Sequence, residues 1–173
     1  MYYSFLGLFI YLKNYIFFLY QCYYRNIPFK ISFFPQLADK YLQSGTASGH
    51  NFHQDLWASR LVYSRKPESH IDVGSRIDGF VSNILTFMNI NVIDIRPLNS
   101  KVRGLNFVQL DMLKSQGTKL TSPSVSCLHA LEHFGLGRYG DPIDINGWKK
   151  GFSNLSSCVD KGGYLYLSVP ISN

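Results

Sequence analysis

The chain has 173 residues, 46% of them hydrophobic and only 16% charged, so the length suits one domain with a sizeable core. The net charge of +6 comes from scattered basic residues, without the basic run or aromatic–basic alternation that predicts nucleic-acid binding. The cysteines, Cys22, Cys127 and Cys158, are odd in number and lack C-x-x-C spacing, which argues against disulfides or a cysteine zinc site and favours a reducing, cytoplasmic compartment.

The first 24 residues, MYYSFLGLFIYLKNYIFFLYQCYY, are almost wholly apolar or aromatic, and their length would span a bilayer. Lys13 and Asn14 lie in the middle of the segment, and a central lysine opposes insertion by roughly 2.5–3.5 kcal/mol. No basic n-region or small-residue cleavage site marks a secretory signal. We expect residues 1–42 to form a helical, aromatic extension. Residues 1–24 would then associate with a membrane, on its surface or across it, or dock on the following domain.

Residues 43–51, QSGTASGHN, are typical of a loop, and we place the start of the second domain there, at residue 43. The next segment, NFHQDLWASRLVYSRK, predicts a helix that ends before Pro67. Asn51 with Gln54 three residues later suits a capping box. Helical periodicity places four side chains on one face: Phe52, Leu56, Ser59 and Tyr63.

From residue 70 onward, short apolar runs alternate with helical stretches. The predicted strands are HIDVG (70–74), NVIDI (91–95), NFVQLD (106–111), SVSCLHA (124–130) and YLYLSVP (164–170). This alternation predicts an α/β fold, a Rossmann-like three-layer sandwich in which a mainly parallel sheet carries helices on both faces.

Two helices are predicted between these strands. DGFVSNILTFM (78–88) has an apolar side made of Phe80, Ile84 and Phe87. NGWKKGFSNLSSCV (146–159) has apolar residues at spacings of three and four, namely Trp148, Phe152, Leu155 and Val159. Lys161-Gly162-Gly163 is expected to end this second helix before the last strand begins.

Ligands of open parallel sheets bind beyond the carboxyl ends of the strands, so the residues there are candidate ligands. The first strand ends in IDVGSRIDG, where a glycine turn lets a ligand approach the backbone and a helix N-terminus adds positive potential. The second strand ends in Asp94. An acid about 20 residues after the glycine turn is suited to accept hydrogen bonds from ribose hydroxyls. The third ends in Asp111, where an adenine amino group could be recognised.

Five segments of the chain resemble, in order, the motifs of class I S-adenosylmethionine-dependent methyltransferases. They are IDVGSRIDG, the acid of NVIDIRP, VQLDML, SCLHALEH and GGYLYLSVP. GSRIDGF with LHALEHFGLGRYGDPID is more closely similar to a poorly characterised methyltransferase-like family of unknown function, over about residues 50–173. Its members are loosely associated with surface-glycan synthesis. The resemblance implies S-adenosylmethionine as cofactor and a small or glycan-related methyl acceptor.

The resemblance also implies roles by position. The turn that faces the methionine part of the cofactor would be Asp72, Gly74, Ser75 and Arg76, with Asp94 as the ribose acid and Asp111 on the adenine side. The catalytic positions beside the acceptor would be His129, Glu132 and His133. If the acceptor is a hydroxyl, His129 or His133 could be the general base, because an unperturbed imidazole titrates near pH 6.5.

HALEH, residues 129–133, also matches the H-x-x-E-H zinc-peptidase pattern. Such a site needs both histidines on one helix face and a third ligand. His129 follows a strand-like run, and the only glutamates are Glu68 and Glu132, so no glutamate lies downstream to complete the site. Asp141, Asp144 and Asp160 remain possible third ligands. We predict no metal there, although the stretch could also serve only to cap and pack its loop. Arg138 in the following FGLGRYGDP could hold an anionic substrate group or be solvated.

Two departures from the methyltransferase pattern keep other interpretations open. Arg76 stands where a G-x-G-x-G turn has its second glycine, and the sequence ends at Asn173, just after the fifth predicted strand, where the full fold adds a hairpin. We therefore expect a C-terminally incomplete domain over residues 43–173 that either transfers a methyl group or is a non-catalytic, degenerate copy. A nicotinamide- or nucleotide-sugar-binding Rossmann protein ranks third because its glycine fingerprint is missing.

Overall fold

The structure is a computed structural model that describes residues 2–28, 33–114 and 120–171. The chain divides into two compact units, Met1–Ala47 and Ser48–Asn173. The boundary that the sequence suggests, at residue 43, stays a prediction.

The first unit consists mainly of one long helix, α1, at Tyr2–Tyr24. Within this unit, Tyr11 and Tyr15 stack with ring centroids 6.1 Å apart, and both meet the edge of Phe33, at 5.3 and 5.5 Å. A short 3-10 turn follows at Asp39–Tyr41. In the part of the chain that the structure describes, no helix combines the length and the apolarity needed to cross a bilayer.

The second unit is built on a five-stranded sheet whose strands pair in the order β3-β2-β1-β4-β5. Every pair is parallel. The strands are β1 Ile71–Val73, β2 Ile90–Asp94, β3 Leu105–Gln109, β4 Ser122–Leu128 and β5 Val159–Ser168. The strand order reverses between β1 and β4, and a crevice opens at such a switch point, beyond the carboxyl ends of the strands.

Helices cover both faces of the sheet, which confirms the Rossmann-like α/β prediction. One face carries α2, His50–Arg65, and α3, Ser82–Leu85, which a π-helical turn at Ile77–Val81 precedes. The other carries α4, Gly147–Ser157. The buried core between the sheet and helices α2 and α3 contains Ala58, Val62, Phe80, Ile84 and Val92. The core between the sheet and α4 contains Val73, Ile93, Val125, Leu131 and Leu155.

The start and the buried face of α2 differ from the prediction. Gly49 is the N-cap, and no side chain caps the helix, so the capping box at Asn51 is wrong. The buried residues are Asp55, Ala58, Ser59 and Val62, whereas Phe52 and Tyr63 are exposed. The small Ala58 and Ser59 let the helix lie close to the sheet, and Ser59 satisfies its hydroxyl by donating to the Asp55 carbonyl, 2.6 Å away.

Helix α4 is also rotated from its predicted orientation. It buries Gly147, Gly151 and Leu155, while Trp148 and Phe152 are exposed. A Cβ at Gly151 would collide with the ring of Phe134, so the glycine is what allows the ring to pack against the helix.

Two further boundaries were predicted wrongly. Lys161-Gly162-Gly163 lies inside β5, at an irregularity of its pairing with β4. The helix expected to reach residue 88 ends at Leu85, which leaves Phe87 exposed.

Candidate functional site

Two adjoining pockets lie at the carboxyl ends of the strands in the second unit. The β2 pocket, of about 470 Å³ including its mouth, lies against the ends of β1, β2 and β3. The β4 pocket, of about 830 Å³ including its mouth, lies between the glycine turn, the end of β4 and the start of α2. The two share four lining residues, Gly74, Arg96, His133 and Tyr139.

The β2 pocket combines apolar walls with two carboxylates. Its apolar lining includes Ile93, Leu110, Met112 and Phe134, and its acids include Asp94 and Asp111. Asp111 lies two residues beyond the end of β3 at Gln109, so it does not end the strand as predicted. Asp94 is the last residue of β2, and Asp111 lies in the segment after β3. The two predicted acids therefore line the same pocket.

Asp111 keeps one oxygen without a hydrogen bond. Its Oδ1 accepts the backbone N–H of Leu113 at 2.9 Å, which fixes the carboxylate. Its Oδ2 is buried and receives no hydrogen bond from the described residues. The exposed Lys114 Nζ stands 3.4 Å from Oδ2 as an ion pair only. A buried acceptor of this kind is costly unless a donor reaches it.

Both oxygens of Asp94 are engaged by Arg96. Oδ1 accepts the Arg96 backbone N–H at 2.8 Å and its Nε–H at 3.0 Å, and Oδ2 accepts from Nη2 at 2.6 Å. The Arg96 guanidinium in turn lies 4.4 Å from the ring centroid of Tyr139. Asp94 thus lies where the sequence predicts it, and it is held there by a cation two residues away.

The turn after β1 brings the backbone close to the end of β4. Gly74 has φ +73, and a Cβ there would stand only 2.9 Å from the Cβ of Ala130, so glycine meets both the conformation and the space. Ser75 fastens the turn, because its Oγ donates to Asp72 at 2.6 Å and accepts the backbone N–H of Leu128 at 3.2 Å. Gly74 lines both pockets and Ser75 lines the β4 pocket.

Asp72 lies beneath this turn and lines neither pocket. The carboxylate is fully buried. It accepts the Ser75 N–H at 3.1 Å and the Ser126 hydroxyl at 2.5 Å. Burial, only partly offset by these bonds, raises the pKa of Asp72 to about 6. The geometry makes Asp72 a support for the glycine turn.

Sequence reasoning missed a buried polar column that continues from Asp72. His70 lies within 2.7 Å of the Ser124 hydroxyl through Nδ1 and within 3.0 Å of the Ser126 hydroxyl through Nε2. Burial lowers the pKa of His70 to about 3, so the ring is neutral. A signal was present: Ser122, Ser124 and Ser126 alternate in the predicted fourth strand, 124–130, and just before it.

Arg76 forms an ion pair with Asp78, with Nη2 3.1 Å from Oδ2. Its side chain is largely exposed and lies at the wall of the β4 pocket. The ion pair holds the guanidinium at the solvent side of the turn.

His129 is fixed from three directions at the end of β4. Its backbone has φ +50, and its N–H lies 3.1 Å from the carbonyl and 3.0 Å from the hydroxyl of Ser168. Its Nδ1 is 3.4 Å from Oε1 of Glu132, and its ring centroid is 4.7 Å from that of His50. The Ser168 hydroxyl donates to Gln54 Oε1 at 2.7 Å, which ties α2 to the ends of β4 and β5. His50, Gln54 and Ser168 had not been predicted.

Glu132 and His133 lie on a 3-10 turn, Leu131–His133, and not on an α-helix. Glu132 Oε1 is 3.8 Å from His133 Nε2, and Glu132 Oε2 is buried without a hydrogen bond from the described residues. His133 Nε2 lies 3.1 Å from Arg138 Nη1. Arginine can only donate, so the imidazole accepts. Across residues 2–28, 33–114 and 120–171, no three His, Cys, Asp or Glu side chains are grouped to hold a metal.

The loop after this turn is organised around Asp141. Its Oδ2 accepts the backbone N–H groups of Gly135 at 2.7 Å and Gly137 at 3.2 Å, and its Oδ1 accepts that of Tyr139 at 3.2 Å. Burial by itself would raise the pKa of Asp141, but these N–H groups together lower it. The carboxylate therefore fixes the backbone on both sides of Arg138.

The sheet order, the flanking helices and the glycine turn at the switch point define a Rossmann-like α/β fold. Residues 70–173 match the model of the family described as Caenorhabditis protein of unknown function, DUF268, and the chain belongs to that family.

A solved structure supports the fold assignment: SAM-bound CalS10, an amino pentose methyltransferase from Micromonospora echinaspora involved in calicheamicin biosynthesis. It is similar with a TM-score of 0.53 and 17% sequence identity, over 69% of this chain and 50% of that chain. The chain thus spans about half the length of this structural relative. No curated protein sequence matches significantly.

Proposed function

We propose that the protein transfers a methyl group from S-adenosylmethionine to a small, polar, glycan-related acceptor. The observation that carries the proposal is the pair of adjoining pockets at the switch point, one with Asp94 and Asp111 and the other with His129. The structural relative is described as a SAM-bound amino pentose methyltransferase, which supports both the cofactor and the acceptor class.

The residues of the β2 pocket fit the cofactor. Its apolar walls suit an adenine ring, and the buried Oδ2 of Asp111, which lacks a hydrogen bond within the described residues, suits the exocyclic amino group. Gly74 allows close approach to the backbone. Asp94 would accept hydrogen bonds from ribose hydroxyls, which would share it with Arg96 or displace that side chain. When bound, S-adenosylmethionine supplies an electrophilic methyl group on its sulfonium.

Of the two histidines, His129 is the better general base. A proton on Nδ1 directed to Glu132, 3.4 Å away, leaves the Nε2 lone pair for the proton of the acceptor hydroxyl. His133 already accepts from Arg138, so it is the less available base. The bonds to Ser168 fix the His129 backbone, and such fixed placement lowers the entropic part of the barrier.

Glu132 would both orient His129 and hold the acceptor. Its Oε1 faces the two histidines, and its buried Oε2 offers an acceptor to a hydroxyl or amino group of a bound molecule. A carboxylate accepting from the substrate would fix which hydroxyl lies beside His129.

The Arg96–Asp94 ion pair favours the alternative, a domain that has kept the fold without cofactor binding or catalysis. It occupies both oxygens of the carboxylate that ribose would need. If this pair does not open, the ribose site is closed.

Calorimetric titration with S-adenosylmethionine and S-adenosylhomocysteine separates the two functions. We expect saturable heat below millimolar ligand, weakened about tenfold or more by Asp111→Asn, because a hydrogen bond to a charged group contributes about 1.5–3 kcal/mol. Glu68→Gln, at an exposed carboxylate that lines neither pocket, is the control and should bind as the wild type does. No heat at millimolar ligand would favour the non-catalytic alternative.

A further inference from the structure

We infer that the β4 pocket takes an acceptor that carries an anionic group, a phosphate or a carboxylate, and that Arg138 binds this group. The acceptor's part in methyl transfer rests on the proposed function. The anion site itself rests only on the charges, contacts and rigidity of the pocket.

Three arginines line the β4 pocket, and they differ in how their charge is balanced. Arg76 pairs with Asp78 at 3.1 Å, and Arg96 pairs with Asp94 at 2.6 Å. No carboxylate of the described residues lies within ion-pair distance of Arg138. Two of the three guanidinium groups are therefore neutralised within their own turns, and the third is left for a ligand.

The contacts of Arg138 place its guanidinium at the pocket without using most of its donors. One nitrogen, Nη1, lies 3.1 Å from His133 Nε2, and the group lies 5.3 Å from the ring centroid of Tyr139. A guanidinium has five N–H donors in a planar fork that matches phosphate and carboxylate oxygens. The contacts with His133 engage only Nη1, so the Nε and Nη2 donors stay available for a two-pronged interaction with an anion.

The loop holds Arg138 in place before any ligand arrives. The Asp141 carboxylate accepts hydrogen bonds from the backbone N–H groups of Gly135, Gly137 and Tyr139, so the backbone is fixed on both sides of Arg138. These N–H groups are consumed inside the loop and cannot themselves bind an anion. Recognition then falls to the side chain, and a tied backbone reduces the entropy lost on binding.

The pocket thus offers two recognition groups of opposite character. Arg138 would hold the anion, and the buried Oε2 of Glu132 would accept a hydroxyl or amino hydrogen of the same molecule. His133 lies between them, with its Nε2 3.8 Å from Glu132 Oε1 and 3.1 Å from Arg138 Nη1. A sugar phosphate or a sugar acid has both features, whereas a neutral sugar lacks the anion.

NMR titration of the isotope-labelled full chain tests the inference, with glucose 1-phosphate, glucuronate and glucose as probes. We expect either anionic probe, or both, to give saturable shifts of the Arg138 side chain and the Tyr139 amide at low salt, and glucose to give none. The two anions distinguish a phosphate from a carboxylate preference. Arg138→Gln should weaken binding about tenfold or more, since a charge-assisted contact contributes about 1.5–3 kcal/mol. Arg103→Gln, at an exposed arginine that lines neither pocket, should bind as the wild type does.

Equal shifts with glucose, or binding unchanged by Arg138→Gln, would overturn the inference. Arg138→Lys keeps the charge and loses the fork, so it should recover only part of the affinity. S-adenosylhomocysteine affinity is measured on the same samples. Anion binding without cofactor binding would reject the proposed function alone, and cofactor binding without anion binding would reject this inference alone.

Discussion

Nδ1 of His129 lies 3.4 Å from Oε1 of Glu132, and the histidine that makes this contact has a left-handed backbone with φ +50. That conformation costs a non-glycine residue about 1–2 kcal/mol. It persists here because Ser168 holds the backbone N–H and Glu132 and His50 hold the ring. Strain retained by so many contacts is typical of functional positions.

Replacing His129 by Asn should lower methyl-transfer turnover by about 100-fold or more, because a positioned general base contributes about 10²–10⁴-fold. Asn tolerates the left-handed conformation, so the fold and the S-adenosylhomocysteine affinity should persist. His133→Asn should cost less than about tenfold, well short of the loss of a base. His53→Asn, at an exposed position of α2, is the control. A larger loss at His133 than at His129 would reverse the assignment of the base.

Replacing Arg96 by Gln should tighten S-adenosylhomocysteine binding by up to about fivefold, since a half-exposed ion pair contributes at most about 1 kcal/mol. The change releases both oxygens of Asp94. Asp94→Asn should instead weaken binding about tenfold, because it removes a charged acceptor. Calorimetry measures both. Weaker binding by Arg96→Gln would mean that the guanidinium itself contacts the ligand.

His70 and Asp72 should give stability contributions of opposite pH dependence. The pKa of His70 is about 3 in the folded protein, whereas an imidazole in the unfolded chain titrates near 6.5. As pH falls, the unfolded chain therefore binds the proton before the folded protein does, and the free energy of unfolding falls between about pH 6.5 and 3. The pKa of Asp72 is about 6, so the unfolded chain loses that proton first, and the free energy of unfolding falls as pH rises from about 4 to 6.

These two slopes offset each other between pH 4 and 6 in the wild type. In Asp72→Asn only the His70 slope remains. The free energy of unfolding of this variant should therefore fall by up to about 3 kcal/mol relative to the wild type when the pH is lowered from 6 to 4. His70→Gln should show the reverse slope. Urea denaturation at stepped pH measures both, and a profile of Asp72→Asn parallel to that of the wild type would contradict the assignment.

Gly151→Ala should destabilise the protein by about 1–2 kcal/mol. Alanine in a helix interior normally gains up to about 1 kcal/mol over glycine, but here its Cβ would collide with Phe134, and overpacking costs about 1–3 kcal/mol. Phe134 lines the β2 pocket, so S-adenosylhomocysteine binding should weaken as well. Ser153→Ala, at an exposed position of the same helix, should be neutral or slightly stabilising. Thermal denaturation compares them, and a more stable Gly151→Ala would show that Phe134 moves aside at no cost.

Local pattern determined the strands and the residues at their ends. Short apolar runs bounded by glycine or an acid are readable from neighbouring residues, so the sequence placed Gly74 and Asp94 beside a pocket. It also brought Glu132 to His129, because residues three apart are close in any tight turn. The buried faces of the helices were predicted less well, because large apolar side chains such as Phe152 and Tyr63 were expected to be buried. In the structure the helices instead pack against the domain through small residues, Ala58 in α2 and Gly151 in α4.

The sequence by itself therefore determined the α/β class and which end of the sheet would carry the site. Only the tertiary structure decided that Asp72 lies under the turn with Ser126 and that Ser168 fixes His129. The physical reason is that hydrogen-bond partners from β1, β4 and β5 meet through strand register. Asp72 lies opposite Ser126 and Leu128 lies opposite Ser168, and no local pattern of residues encodes those distant pairings.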